Sequence, residues 1–252
     1  MRGRLVEWLL PPRCSRCGER IRRPGSPLFC SVCYPRFIQE VTEGCPICCR
    51  PTISCLCKTR HCTERLVYAL PYDGTAEDST ISYLILTSKY RHHRAAHETL
   101  AAYMIDAARR TGLTEDRDRV ITFVPRALTK AMKLGLDPAE LLTKRYCQAQ
   151  NTTYLPLLDH SERGEEQKTL AYSDRLPNSL LNYYLLPQAA SRVAGRRVLL
   201  IDDVVTTGAT VAVCAAALRE AGATDVTVLA AAKSVSHPND ERSLFCLNDK
   251  GE

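Results

Sequence analysis

The stretch VLLIDDVVTTGAT, Val198 to Thr210, constrains the fold more than any other part of the chain. Its first four residues are all apolar, with no polar alternation, as in a strand covered on both faces in a parallel sheet. Two adjacent aspartates follow, then a small, hydroxyl-rich turn containing Gly208, then the Ala-rich segment TVAVCAAALREAGA, a helix that closes at Gly222. DVTVLAAA supplies the next strand. Strand, turn, helix and strand in that order predict a parallel sheet covered by helices. Open sheets of this kind bind ligands beyond the carboxyl ends of their strands. Asp202 and Asp203 are therefore expected at an exposed sheet edge facing a crevice. The N–H groups of the turn and first helical residues have no partner within the helix and attract an anion, aided by the helix dipole. Thr206, Thr207 and Thr210 add hydroxyls. Two carboxylates repel a bare phosphate, so they must address sugar hydroxyls or a magnesium ion beside them. A sugar phosphate answers both halves of the site. A Walker B strand is excluded, since no G-x-x-x-x-G-K-[ST] loop precedes it.

Other segments fill in the α/β pattern. RLVYALPYDG reads as a short strand ended by Pro71 and the turn residues Asp73 and Gly74. Ala76 to Arg110 reads as helical with a break near SKYRHH, and VITFVP as a buried strand stopped by Pro125. DPAELLTKRYCQAQN begins a helix with Asp137 as N-cap, Pro138 at the first helical position and Glu140 at the third. The polar, turn-rich stretch from Asn151 to Arg192 carries no assignable period. His93 and His97 share a helix face, but Arg91 and Arg94 beside them predict a solvated basic surface, not a metal site. Cys147 and Cys214 lie in apolar helical contexts and read as small core residues.

Ten of the 13 cysteines precede residue 65. Cys14, Cys17, Cys30 and Cys33 form a C-x₂-C-x₁₂-C-x₂-C array, in which two knuckles complete a tetrahedral zinc shell. Cys45, Cys48, Cys55 and Cys57 make a weaker second set, with Cys62 or His61 as substitutes. A closed shell of four thiolates has no open position for substrate, so zinc here would be structural. The composition divides the chain into a loop-rich zinc module, residues 1–65, and a larger domain, residues 66–252. Twelve Lys and Arg face five Glu between Met1 and Arg65, so the basic excess of a chain of net charge +6 sits with the cysteines. That invites a nucleic-acid partner. LVEWLLPP is too short to span a bilayer and no cleavage site follows it, so no membrane anchor is expected and the location is read as cytoplasmic.

Four apolar residues, two acids and V-x-T-T-G-x-T resemble the signature of type I phosphoribosyltransferases, which bind 5-phosphoribosyl 1-pyrophosphate (PRPP) with Mg²⁺. The resemblance implies that Asp202 and Asp203 are the catalytic acids on the ribose hydroxyls. It implies that Val205, Thr206, Thr207, Gly208, Ala209 and Thr210 hold the 5′-phosphate. Many members carry a further aspartate where Thr206 stands. A double zinc ribbon joined to such a core is the arrangement of the ComF family, linked to DNA uptake in natural competence. Lys89 and Tyr90 match that family's lysine before an aromatic, and Arg163, Gln167, Leu170, Arg175 and Asn178 are similar to a second segment. The family's R-G-F-N-Q is replaced by LGLDPAE, leaving Arg126, Lys130 and Lys133 as the nearby cations for an anionic substrate. The implied fold is an N-terminal Cys-rich zinc-ribbon module followed by a type I phosphoribosyltransferase-like parallel sheet. Two functions stay open: Mg²⁺-dependent phosphoribosyl transfer, and a non-catalytic DNA-uptake protein that uses PRPP as a sensed ligand or not at all, its zinc module meeting single-stranded DNA or competence proteins.

Overall fold

The computed structural model describes residues 12–21, 28–42, 65–72, 79–90, 93–116, 118–126, 135, 137–160, 183–206 and 208–234. In chain order the elements are α1 (Cys33–Thr42), β1 (Arg65–Tyr72), α2 (Thr80–Tyr90), α3 (Arg94–Arg110), β2 (Val120–Phe123), α4 (Pro138–Gln150), β3 (Leu158–His160), β4 (Tyr183–Leu185), α5 (Ala189–Val193), β5 (Arg197–Val205), α6 (Ala209–Glu220) and β6 (Asp225–Ser234). Among the described residues four strands form one sheet in the order β1-β6-β5-β2, and every neighbouring pair is parallel. A separate antiparallel pair joins β3 to β4.

The unbroken apolar run of β5 is explained by the two layers that enclose it. Leu199 and Ile201 enter a core with Leu100, Met104, Leu142 and Tyr146 from α3 and α4. Val198 and Leu200 enter a second core with Leu157, Val193, Val211 and Leu218, beneath α5 and α6. Successive side chains of a strand point to opposite faces, so both sets must be apolar once both faces are covered. Each fully buried leucine contributes about 2 kcal/mol. Gly222 follows α6 at φ 99° and a β-carbon there would lie 3.2 Å from the Ala194 backbone, which explains glycine at this C-terminus.

Three expectations need correction. Strand β1 continues through Pro71 to Tyr72 rather than ending there. It is the terminal strand of the sheet, where a residue without an N–H is tolerated. Strand β5 runs on through both aspartates to Val205, so the acids belong to the strand itself. His97 is 4% exposed, not solvated: its Nδ1 lies 3.0 Å from the His93 carbonyl and its Nε2 3.1 Å from the Ser88 carbonyl. The imidazole thus bridges the end of α2 to the start of α3, where His93 is the N-cap.

The cysteine segment shares the main core. Leu28, Phe29, Cys30, Cys33, Phe37 and Val41 belong to the same buried cluster as Ile81, Leu84 and Met104. Phe37 stacks against Phe29 at 5.0 Å and meets Tyr103 of α3 edge-on at 5.8 Å. Elements on either side of the expected boundary at residue 65 are therefore packed together, and hydrophobic contact joins any bound metal in holding the N-terminal part.

Candidate functional site

Cys14, Cys17, Cys30 and Cys33 converge, with their sulfur atoms all within 4.8 Å of one another. Each knuckle is a tight turn: Gly18 N–H donates to the Cys14 carbonyl and Tyr34 N–H to the Cys30 carbonyl, both at 2.9 Å. Cys17 and Cys30 sulfurs lie 3.7 Å apart. Arms of about 2.3 Å from a tetrahedral zinc give a sulfur separation of about 3.8 Å, so this shell fits that ion. Burial pushes the Cys33 thiol up to about 12. Burial also opposes ionisation of Cys30, but the amides of Cys33 and Val32 outweigh it and bring that thiol down to about 7. Four thiolates crowded together need a cation to offset their repulsion. The second cysteine set, Cys45, Cys48, Cys55 and Cys57, lies outside the described residues, as do Cys62 and His61.

At the carboxyl end of the sheet lies a cavity of about 250 Å³. Asp202, Asp203, Val205, Thr206, Gly208, Ala209, Thr210 and Arg126 all line it, so the expected residues are brought together. Thr207 is outside the described residues, as are Lys130, Lys133, Arg163, Gln167, Leu170, Arg175 and Asn178. The turn from β5 to α6 places Gly208 at the helix N-cap with φ 86° and ψ −3°, a left-handed conformation that a side chain strains. Its carbonyl accepts from Ala212 N–H at 2.9 Å, so α6 begins there and aims its N-terminus at the cavity. Lys233 reaches the Thr206 carbonyl from the end of β6.

The two acids are not equivalent. Asp202 is 8% exposed, which corrects the expectation of an open edge. Its place in the alternation of β5 turns it toward α6 and Tyr183, and that covering layer excludes water. Burial, then the charge of Asp203, hold its carboxyl well above the usual range. Its Oδ1 accepts from Asp203 N–H at 2.8 Å. Asp203 turns the other way, and its Oδ2 lies 3.8 Å from Lys89 Nζ, carried on the last turn of α2.

Three further lining residues were not identified as site residues from sequence: Asp137, His160 and Tyr183. Asp137 is the N-cap of α4, with Oδ1 accepting from Ala139 N–H at 3.0 Å and Glu140 N–H at 3.3 Å. Its other oxygen takes Arg126 N–H at 2.7 Å, fixing the backbone of the chain leaving β2. Burial raises its carboxyl, against these amide bonds and with help from Asp203. His160 and Tyr183 come from the paired strands β3 and β4, their rings edge to face at 4.7 Å. Burial pushes the Tyr183 phenol up to about 12. Arg126 Nη1 is buried without a hydrogen-bond partner among the described residues. Cys147 and Cys214 are buried and their thiols raised by burial, consistent with core roles.

The arrangement offers the paired acids Asp202 and Asp203 for a cation or hydroxyls, the cationic side chains of Lys89 and Arg126, and a helix N-terminus for an anion. Among the described residues no helix is long and apolar enough to cross a membrane. The family model of the phosphoribosyl transferase domain matches residues 140–249. No curated protein matches the chain. Among solved structures it is similar to an allosteric regulatory enzyme of purine biosynthesis, at 20% identity and a TM-score of 0.39, over 61% of this chain and 31% of that one. Glutamine phosphoribosylpyrophosphate amidotransferase from B. subtilis is similar at 19% identity and a TM-score of 0.41, over 61% of this chain and 32% of that one. For phosphoribosylpyrophosphate synthetase from Mycobacterium smegmatis the values are 14% and 0.33, over 82% and 71%. The chain thus spans under a third of the length of the first two.

Proposed function

We propose that this protein binds PRPP with Mg²⁺ and transfers the phosphoribosyl group to a nitrogen nucleophile. The observation that carries the reading is that Asp202 and Asp203 open onto the same cavity as the N-terminus of α6. The 5′-phosphate would sit on the amides and hydroxyls from Val205 to Thr210, and the ribose hydroxyls on the acids. Lys89 and Arg126 would meet the pyrophosphate, whose charge answers the unpartnered Arg126 Nη1. Asp202 and Asp203 would hold Mg²⁺ indirectly or directly, and the ion would supply charge stabilisation for the departing pyrophosphate. In the transfer the anomeric C–O bond breaks with its electron pair leaving on pyrophosphate, and a C–N bond forms. The nucleophile's proton needs an acceptor. With Thr206 in place of an acid, His160 is the imidazole in the lining able to take it.

The zinc-ribbon arrangement supports a ComF-like role in DNA uptake, in the cytoplasm, with single-stranded DNA and competence proteins as partners. A second, non-catalytic reading has its own support: Lys89 already engages Asp203, and LGLDPAE stands in place of the family's arginine segment. Titration calorimetry with Mg²⁺ and PRPP, then a pyrophosphate-release assay with bases and single-stranded DNA, separates the two. Saturable binding with release supports transfer; saturable binding without release under every condition leaves only the sensor; no binding refutes transfer and sensing and leaves only a DNA-uptake role that does not use PRPP.

A further inference from the structure

Between the cysteine shell and the cavity lie helices α1 and α2, and a side chain of α1 caps α2. Helix α1 begins at Cys33, a member of the shell, and carries Glu40 two turns later. That carboxylate accepts from three donors at the start of α2, about 40 residues on. Glu40 Oε1 accepts from Thr80 N–H at 2.7 Å, and Oε2 accepts from Ile81 N–H at 2.9 Å and from Ser79 Oγ–H at 3.0 Å. Ser79 Oγ in turn accepts from Ser82 N–H at 3.1 Å. Helix α2 has no acidic residue in its own first turn, so its dipole and orphan amides are answered from another element. The opposite end of α2 carries Lys89, 3.8 Å from Asp203 in the cavity.

We propose that Glu40 is a positioning residue that couples the four-cysteine shell to the sugar-phosphate cavity by fixing the helix that bears Lys89. The coupling rests on the reading of the cavity given above. Hydrogen bonds to an ionised acceptor are the strong kind, and three of them converge on one carboxylate. Helix α1 is held at one end by Cys33 and along its length by Phe37 and Val41. A shell that loses its ion releases the Cys33 end of α1, and the helix then tilts about the anchor at Phe37 and Val41, which shifts Glu40. Helix α2 then retains the packing of Ile81, Leu84 and Ile85 but loses the cap that sets its position along its axis. Lys89 is the part of α2 that reads this change, because its ammonium must sit between Asp203 and an incoming anion.

The test uses the full chain, zinc-loaded or stripped with a chelator, with Glu40→Gln, Lys89→Met and the double variant. Gln keeps the volume but in either amide orientation turns an N–H₂ toward at least one donor, Thr80 N–H on one side or Ile81 N–H and Ser79 Oγ–H on the other. PRPP affinity is expected to fall about tenfold in E40Q, the equivalent of about 1.4 kcal/mol or one charge-assisted bond. In the Lys89→Met background E40Q should add less than about twofold, since both act through one contact. Stripping zinc should weaken wild type as E40Q does and leave E40Q little changed. Amide exchange supplies a readout free of ligand: Ser79 to Tyr90 should exchange faster in E40Q and in stripped wild type. Additive losses in the double variant, or unchanged exchange over Ser79 to Tyr90, overturn the coupling. If wild type binds no PRPP, the cavity reading falls, and the exchange arm alone decides whether shell and helix are linked.

Discussion

Asp202→Asn separates what the acid does for the ligand from what it costs the fold. Asn preserves the shape, and its oxygen can still accept from Asp203 N–H, a bond of 2.8 Å in the wild type. What it removes is a carboxylate held above its usual range by burial and by its charged neighbour. A folded-state carboxyl that keeps its proton to higher pH than the unfolded chain lowers stability as pH rises. This penalty is absent below about pH 4, where the unfolded aspartate is also protonated. It grows as pH climbs toward the folded value and is constant above it. Relief of that burial penalty is worth about 1–3 kcal/mol. In a chain of this size each kcal/mol moves Tm by about 2–4 °C. Without ligand or Mg²⁺, the variant should therefore melt above wild type at pH 7 to 8, and the two curves should converge near pH 4. PRPP affinity should fall at least about tenfold at the same time. Thermal melts across this pH range decide the matter. A variant that melts below wild type at neutral pH, or a gap of equal size at both ends, would refute the reasoning.

Gly208→Ala puts a β-carbon at φ 86°, so it should cost about 1–2 kcal/mol by denaturant unfolding and weaken sugar-phosphate binding while zinc content stays at the wild-type level. Asp137→Ala removes the cap of α4 and the acceptor for Arg126 N–H together; a loss of about 1–3 kcal/mol in urea is expected, larger than a cap alone gives. Cys33→Ser should release zinc. Because Phe37 and Val41 share a core with Leu84 and Met104, it should also lower the melting temperature of the whole chain, and a calorimetric trace with an unaltered main transition would count against that.

What the sequence discloses about this protein follows the range of the interaction involved. Strand β5, its turn and α6 are legible because burial on two faces, a left-handed glycine and an Ala-rich helix are written in consecutive residues. The cap at Asp137 is legible for the same reason, since its partners Ala139 and Glu140 are neighbours. Its place in the cavity is not, because that depends on the strand β2 arriving beside β5. Asp202 shares its cavity with Tyr183 and His160, and both of these stand in a stretch without period. His97 looked solvated because two arginines flank the histidine pair, whereas its buried setting comes from Ser88 and His93 carbonyls across a helix break. Glu40 carries no local sign of its task; the cap it provides belongs to a helix some 40 positions away.

Pro71 on the terminal strand has a consequence for how these molecules meet. A fifth strand, from another copy or an unfolding neighbour, would need a continuous row of donors along the outer flank of β1 to extend the sheet. A proline on an edge strand removes a donor and crowds an approaching chain, so it disfavours such an addition. Among the described residues β2, at the opposite flank, is only four residues long, and so short an edge gives a polymerising strand little to build on.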